Sequence, residues 1–146
     1  MVVTGAMRNS TELGYDGPAN LAASICTVCS SESMNKGVLV VMNNQVNSAD
    51  EVTKTHTLAL DTFQSMDFGP LGIVDQDKVI YYRKRKSRQH ILTDTIEPRI
   101  ALIKAGAGMD SSFIKFSVDS GMKGIVIEGM GRGNVPPQIV EGIQYA

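Results

Sequence analysis

Neither sign of charge dominates this chain: 14 Lys and Arg face 15 Asp and Glu, a net charge of −1. That balance supplies no global field to gather nucleic acid or an anionic membrane, and neither is expected as a partner. Long apolar runs are also missing. None approaches the roughly 20 residues of a membrane-spanning helix, and the opening MVVTGAMRNS lacks the basic start and apolar core of a signal peptide. Cysteine and histidine are scarce. Cys26, Cys29, His56 and His90 are the whole supply, and they lack the spacing of a structural zinc site, so no metal is expected. The spacing CTVC invites a redox reading, but a helix explains it more simply. Leu21, Ile25, Val28 and Cys29 fall at i, i+4, i+7 and i+8, an apolar stripe with Cys29 in the core and Cys26 beside it. Internal repeats and low-complexity tracts are absent too.

What is present is an ordinary globular composition, 42% hydrophobic and 20% charged over 146 residues, arranged as short apolar strands alternating with helical patterns. The alternation predicts an α/β fold with parallel strands. Strands are expected at Val2 to Thr4, Val38 to Met42, Ile100 to Lys104 and Gly124 to Glu128. They barely alternate in polarity, as in strands covered on both faces. Helices are expected from Pro18 to Ser30, capped by Asp16, from Ser111 to Ser120, closed by Gly121, and from Val135 onward. LGIVDQDKVIYY reads as a hairpin about Asp75 to Lys78, which makes the first sheet mixed. The dense basic run Arg83, Lys84, Arg85, Lys86 and Arg88 lacks aromatic stacking partners and reads as a solvated connector. Val2 and Val3 open directly in a strand, and QIVEGIQYA stops without a helix-ending signal. Both ends are therefore expected to be cut from a longer protein.

Two stretches carry chemical possibilities. EGMGRGN sets Gly129, Gly131 and Gly133 between a strand and a helix, where backbone amides can meet a small polar or anionic group. Its G-x-G-x-G-N spacing is not the dinucleotide G-x-G-x-x-G, so nucleotide binding is a weak third reading. Asn134 then has two readings, a helix cap or a ligand contact. In EVTKTHT an extended backbone would put Thr53, Thr55 and Thr57 on one side and Lys54 and His56 on the other. Spacing alone leaves Lys54 open between chemistry and solvent.

Taken together, VVTGAMRNST, DGPANL, KGVLVVMNN, EVTKTHT, FQSMDFGPLGIV, LIKAGAGMD and KGIVIEGMGRGNVPP resemble, in order, the bacterial L-asparaginase family, amidohydrolases that convert asparagine to aspartate and ammonia. The pattern KTHT with GNVPP is similar to the cytoplasmic, type I-like members, which implies a cytoplasmic protein. The resemblance implies that Lys54 is catalytic, acting with a threonine and an aspartate to activate a threonine nucleophile or a water. An ammonium is a poor base at neutral pH, and burial would favour the neutral amine such a role needs. It also implies substrate contacts from the backbone carbonyl of Ala6 and from Asn134 reaching in from a neighbouring subunit. His56 receives no step.

Two stretches typical of the family are not in this chain: the early T-G-G-T-I that bears the nucleophile, and H-G-T-D-T with the second threonine and the aspartate. Thr93, Asp94 and Thr95 spell TDT, but they follow the lysine, in the wrong place and order for that role. Asn9, Asn44 and Glu51 stand where the family often has proline, aspartate and aspartate.

The implied fold is a larger α/β domain with a mixed sheet, linked to a smaller parallel α/β domain. Residues 1–86 would form the later half of the N-terminal asparaginase domain, 87–98 the linker, and 99–146 the first part of the C-terminal domain. The implied assembly is a homotetramer, a dimer of dimers with shared active sites, and no cofactor is implied. The substrate would be L-asparagine, with L-glutamine as the alternative. The chain alone is expected to be inactive and to fold poorly or associate. A non-catalytic fragment or binding module that keeps the fold is the competing reading.

Overall fold

A βαβ unit opens the chain. Strand β1 (Val2–Val3) leads through α1 (Gly17–Cys29) to β2 (Leu39–Met42), which pairs with β1 in parallel. The computed structural model describes residues 1–85 and 90–146. Contacts among them divide the chain into two units, Met1–His90 and Ile91–Ala146.

In the first unit β2 turns back antiparallel into β3 (Gln45–Ser48). Asn43 and Asn44 form that turn with φ of 50° and 58°, the left-handed pair that a tight hairpin demands and that asparagine tolerates. This strand was not foreseen, because QVNS is too polar to read as one. The expected hairpin is present as β6 (Gly72–Asp75) and β7 (Lys78–Tyr81), and the sheet order is β1-β2-β3-β6-β7, mixed as expected. Between β3 and β6 lies a separate two-stranded ribbon, β4 (Thr53–Lys54) with β5 (Phe63–Gln64).

The apolar stripe of α1 is not its buried face. Leu21, Ile25 and Val28 are 55%, 57% and 64% exposed, and Cys29 is exposed as well. The helix instead buries Asn20, Ala23, Ser24 and Thr27, a second stripe with the same helical period. Small side chains let the helix sit close on the sheet, with Ala23 packed among Leu39, Val41, Val46, Leu71, Val74 and Val79. The two hydroxyls satisfy themselves within the helix: Ser24 Oγ donates to the Asn20 carbonyl and Thr27 Oγ1 to the Ala23 carbonyl, each at 2.8 Å. Cys26, placed beside the stripe by the sequence, is half-buried and packs against this core.

The second unit is β8 (Ile100–Lys104), α2 (Ser112–Asp119), β9 (Gly124–Glu128) and α3 (Pro137–Tyr145), with β8 and β9 parallel. Its core joins Ile103, Ala105, Ile114 and Ile139. Gly142 brings α3 against α2, since a Cβ there would lie 2.9 Å from Ser111 Cβ. Leu102 and Val126 remain exposed, so these strands are covered on one face among the described residues, not on both. Residues 90–98 contain no helix or strand. Lys86, Arg88 and the expected linker start at 87 lie outside the described residues.

Candidate active site

Side chains alternate across β2. Leu39 and Val41 enter the core under α1, so Val40 and Met42 face the other side of the sheet. On that side Val3, Val40 and Met42 floor a cleft of about 210 Å³, with Lys54 and Phe63 of the ribbon as one wall and Thr4 to Met7 as the other. The cleft lies at the carboxyl ends of the parallel strands β1 and β2, where α/β proteins commonly place ligands. Lys54 and Ala6, chosen from distant stretches of sequence, thus line one cavity.

The ribbon that carries Lys54 is held from several directions. Lys54 sits opposite Phe63 in the β4–β5 pair, with Nζ 6.0 Å from the ring centroid. Ser65 Oγ donates to Oδ1 of the fully buried Asn47 at 2.8 Å, tying the end of the ribbon to β3. Thr55 N donates to the Thr62 carbonyl at 2.8 Å, and the Thr62 hydroxyl bonds both the amide and the carbonyl of His56. His56 Nδ1 accepts the amides of Leu58 and Ala59 at 3.0 and 3.2 Å. The ring is therefore occupied as a loop fastener, with its neutral-form proton on Nε2.

Two arginines of the basic run, Arg83 and Arg85, are fastened to the residues that lead into the ribbon. Arg83 Nη2 donates to Glu51 and to the Gly69 carbonyl, and Arg85 pairs with Asp50. These arginines are not a solvated connector; they hold the residues that enter β4. The Ser48 hydroxyl, which donates to Asp50 at 2.6 Å, and the Arg85 charge together hold the Asp50 carboxyl below its ordinary value against the opposing effect of desolvation.

Lys54 itself is exposed, and its Nζ makes no hydrogen bond or ion pair among the described residues. Thr93 Oγ1 donates to the Thr95 carbonyl at 2.7 Å in an exposed local turn.

Asn134 belongs to the second unit. It does not cap α3, whose N-terminal boundary residue is Pro136 with no side-chain cap bond. Instead its backbone closes the glycine turn: Met130 N donates to the Asn134 carbonyl and Asn134 N to the Met130 carbonyl, both at 2.8 Å. Gly129 is required there, since a Cβ would meet the Gly133 backbone at 2.8 Å. Pro136 and Pro137 remove two amide donors at the helix start, which leaves little of an anion site. The Asn134 side chain is exposed and makes no hydrogen bond among the described residues.

Sequence reasoning missed Asp16 and Asn20 as site-shaping residues. DGPANL was read as a cap and a helix start. Asp16 makes no capping bond to the backbone amides of its own helix; its carboxylate accepts the amides of Met7 and Arg8 beside the cleft. The available signal was the i, i+4 spacing, which puts two polar side chains on one helical face next to the Ala6 turn.

The mixed sheet, the second parallel unit and a lysine-walled cleft at the strand ends define an α/β protein of the kind the motif resemblance led one to expect. Family comparison makes the class specific. Residues 1–87 match the family described as "Asparaginase, N-terminal" and residues 99–146 the one described as "Glutaminase/Asparaginase C-terminal domain". The chain belongs to the asparaginase family. It is 36% identical over 146 residues to "L-asparaginase" of Bacillus licheniformis, covering all of this chain and 45% of that relative. It is 35% identical over 153 residues to "L-asparaginase 2" of Escherichia coli and 38% identical over 153 residues to "Probable L-asparaginase periplasmic" of Haemophilus influenzae. Both matches take in all of this chain and 44% of the relative. The chain thus spans less than half the length of these curated relatives. Among its described residues no helix is long and apolar enough to cross a membrane.

Proposed function

We propose that this chain is part of an L-asparaginase, an amidohydrolase that converts L-asparagine to L-aspartate and ammonia, with L-glutamine as the alternative substrate. The observation that carries the reading is the convergence of Lys54 and Ala6 on one cleft at the carboxyl ends of β1 and β2. In this reaction a threonine hydroxyl attacks the side-chain amide carbon, the C–N bond breaks, and ammonia leaves with the proton it gains. Water then hydrolyses the ester and restores the hydroxyl. Lys54 moves the proton of the attacking hydroxyl or water, and the Ala6 carbonyl accepts a hydrogen bond from the substrate amide. Asn134 contacts substrate in a neighbouring subunit of a homotetramer built as a dimer of dimers. The threonine nucleophile lies outside this chain.

The domain assignment that goes with this reading gives residues 1–86 to the later half of the larger domain, 87–98 to the linker and 99–146 to the start of the smaller domain. It is supported by the two separate hydrophobic cores. We place the protein in the cytoplasm on the likeness of its KTHT and GNVPP stretches to the cytoplasmic, type I-like members, although one relative is named as periplasmic. No cofactor enters the chemistry.

The test is ammonia release from L-asparagine by the polypeptide encoded when the reading frame is extended upstream. Lys54→Ala should reduce turnover by about 10² or more, as for loss of a proton-transfer group. Unchanged turnover in Lys54→Ala removes Lys54 from the mechanism. The second reading, a binding module that keeps the fold without catalysis, is favoured by the exposure of the Lys54 amine. It predicts no ammonia from the extended form.

A further inference from the structure

We propose that Asp16 and Asn20 are positioning residues that fix the Gly5–Arg8 turn, and with it the direction of the Ala6 carbonyl, at the rim of the Lys54 cleft. The inference rests on the reading of that cleft as the amide site. Both residues come from the start of α1, one helical turn apart, and together they grip the turn on each side of Ala6. Asp16 accepts the Met7 amide on its two oxygens at 3.0 and 2.9 Å and the Arg8 amide at 2.9 Å. Asn20 Nδ2 donates to Asp16 Oδ2 at 2.8 Å and to the Gly5 carbonyl at 3.0 Å, while its Oδ1 accepts the Asn43 amide at 2.9 Å.

Peptide planarity converts this grip into a direction. The Ala6 carbonyl and the Met7 N–H share one peptide unit, and no peptide bond in the described chain is cis. With the N–H aimed at Asp16, the carbonyl points away from it. Gly5 is held by its own carbonyl, so the preceding peptide is fixed too. Asn20 also bonds Asn43, at the end of β2, which locks the turn to the sheet that floors the cleft.

The arrangement leaves the helix without the cap that Asp16 was expected to supply, since its side chain makes no capping bond to the backbone amides of α1. A residue selected only to stabilise α1 would turn its carboxylate to the helix amides. Burial pushes the Asp16 carboxyl upward, but the bonds from Met7, Arg8, its own amide and Asn20 together hold it below the ordinary value. The carboxylate form therefore does the gripping.

The test is site-resolved hydrogen exchange and carbonyl ¹³C spectroscopy on the full 146-residue chain. Asp16→Ala should speed exchange at the Met7 and Arg8 amides by about tenfold or more and move the Ala6 carbonyl resonance, while Val41 and Val46 keep their protection. Asp16→Asn, which keeps one acceptor oxygen and nearly the same shape, should give a smaller change at the same sites. Asn20→Ala should release Asn43 as well. Unchanged Met7 and Arg8 exchange in both Asp16 variants overturns the proposal, as does an acceleration shared equally by Val41 and Val46. If Asp16→Ala does not fold, Asp16→Asn decides by the same two criteria. A failure of the amidase reading would appear as no ammonia release from the upstream-extended form and would leave these exchange patterns in place, so the two failures are separable.

Discussion

Swapping one residue on each face of α1 separates the observed packing from the one that hydrophobicity suggests. Ala23 is buried in the core that includes Leu39 and Val41. Ala23→Leu forces three extra carbons into that space and should cost about 1–3 kcal/mol. Ile25 is 57% exposed, so less than half of its side chain leaves water on folding. If full burial of such a side chain is worth roughly 1.5–3 kcal/mol, Ile25→Ser should cost about 1 kcal/mol or less. The assay is urea unfolding followed by far-UV circular dichroism, with the oligomeric state matched between variants. Backbone exchange in the β2–β3 ladder provides a local check. A larger loss for Ile25→Ser than for Ala23→Leu would mean that the apolar stripe is the packed face, and would refute the argument that small, self-satisfied residues dock this helix.

Other expectations follow from the same geometry. Glu51→Gln leaves Arg83 without its charged partner in a site where both side chains are mostly covered, at 23% and 16% exposure; it should cost about 1–3 kcal/mol in a urea midpoint measurement. Asp16 and Asp50 have folded-state carboxyl values below their ordinary ones, so their contribution is fully present above the unfolded value near ~3.9 and is lost as pH falls through the depressed folded values. An acid titration followed by circular dichroism should therefore lose less structure at its low-pH end in Asp16→Asn than the wild type does, and an identical titration curve contradicts the assignment. The exposed Leu21, Ile25 and Val28, with Leu102 and Val126 in the second unit, should make the isolated chain associate with concentration in sedimentation velocity. A soluble monomer with a sharp cooperative melt contradicts that expectation.

Elements whose apolar pattern and punctuation agree were legible in the sequence: β8 and β9 by their Ile, Leu and Val runs, α2 by its closure at Gly121, whose φ is 76°, and the hairpin about Gln76 and Asp77. β3 was not legible, because its neighbours, rather than its own residues, make it a strand. The buried face of α1 was misread because periodicity identifies a face without saying which one packs, and close approach favoured alanine, serine and threonine over leucine and isoleucine. Lys54 and Ala6 were found through motif resemblance, and only the fold brings them to one cleft. Asp16 was seen as a cap because capping is a local pattern, whereas its partners Met7 and Arg8 precede it in a turn whose conformation the sequence does not declare. Arg83 and Arg85 likewise looked like surface charge until Glu51 and Asp50 were found across from them.

The most direct measurement is ammonia release from L-asparagine by the purified chain, side by side with the product of the upstream-extended reading frame. The account predicts no release above buffer from the chain alone, and turnover in the extended form that depends on the Lys54 amine. Sustained deamidation by the chain alone, shown to be free of contaminating enzyme, would contradict it.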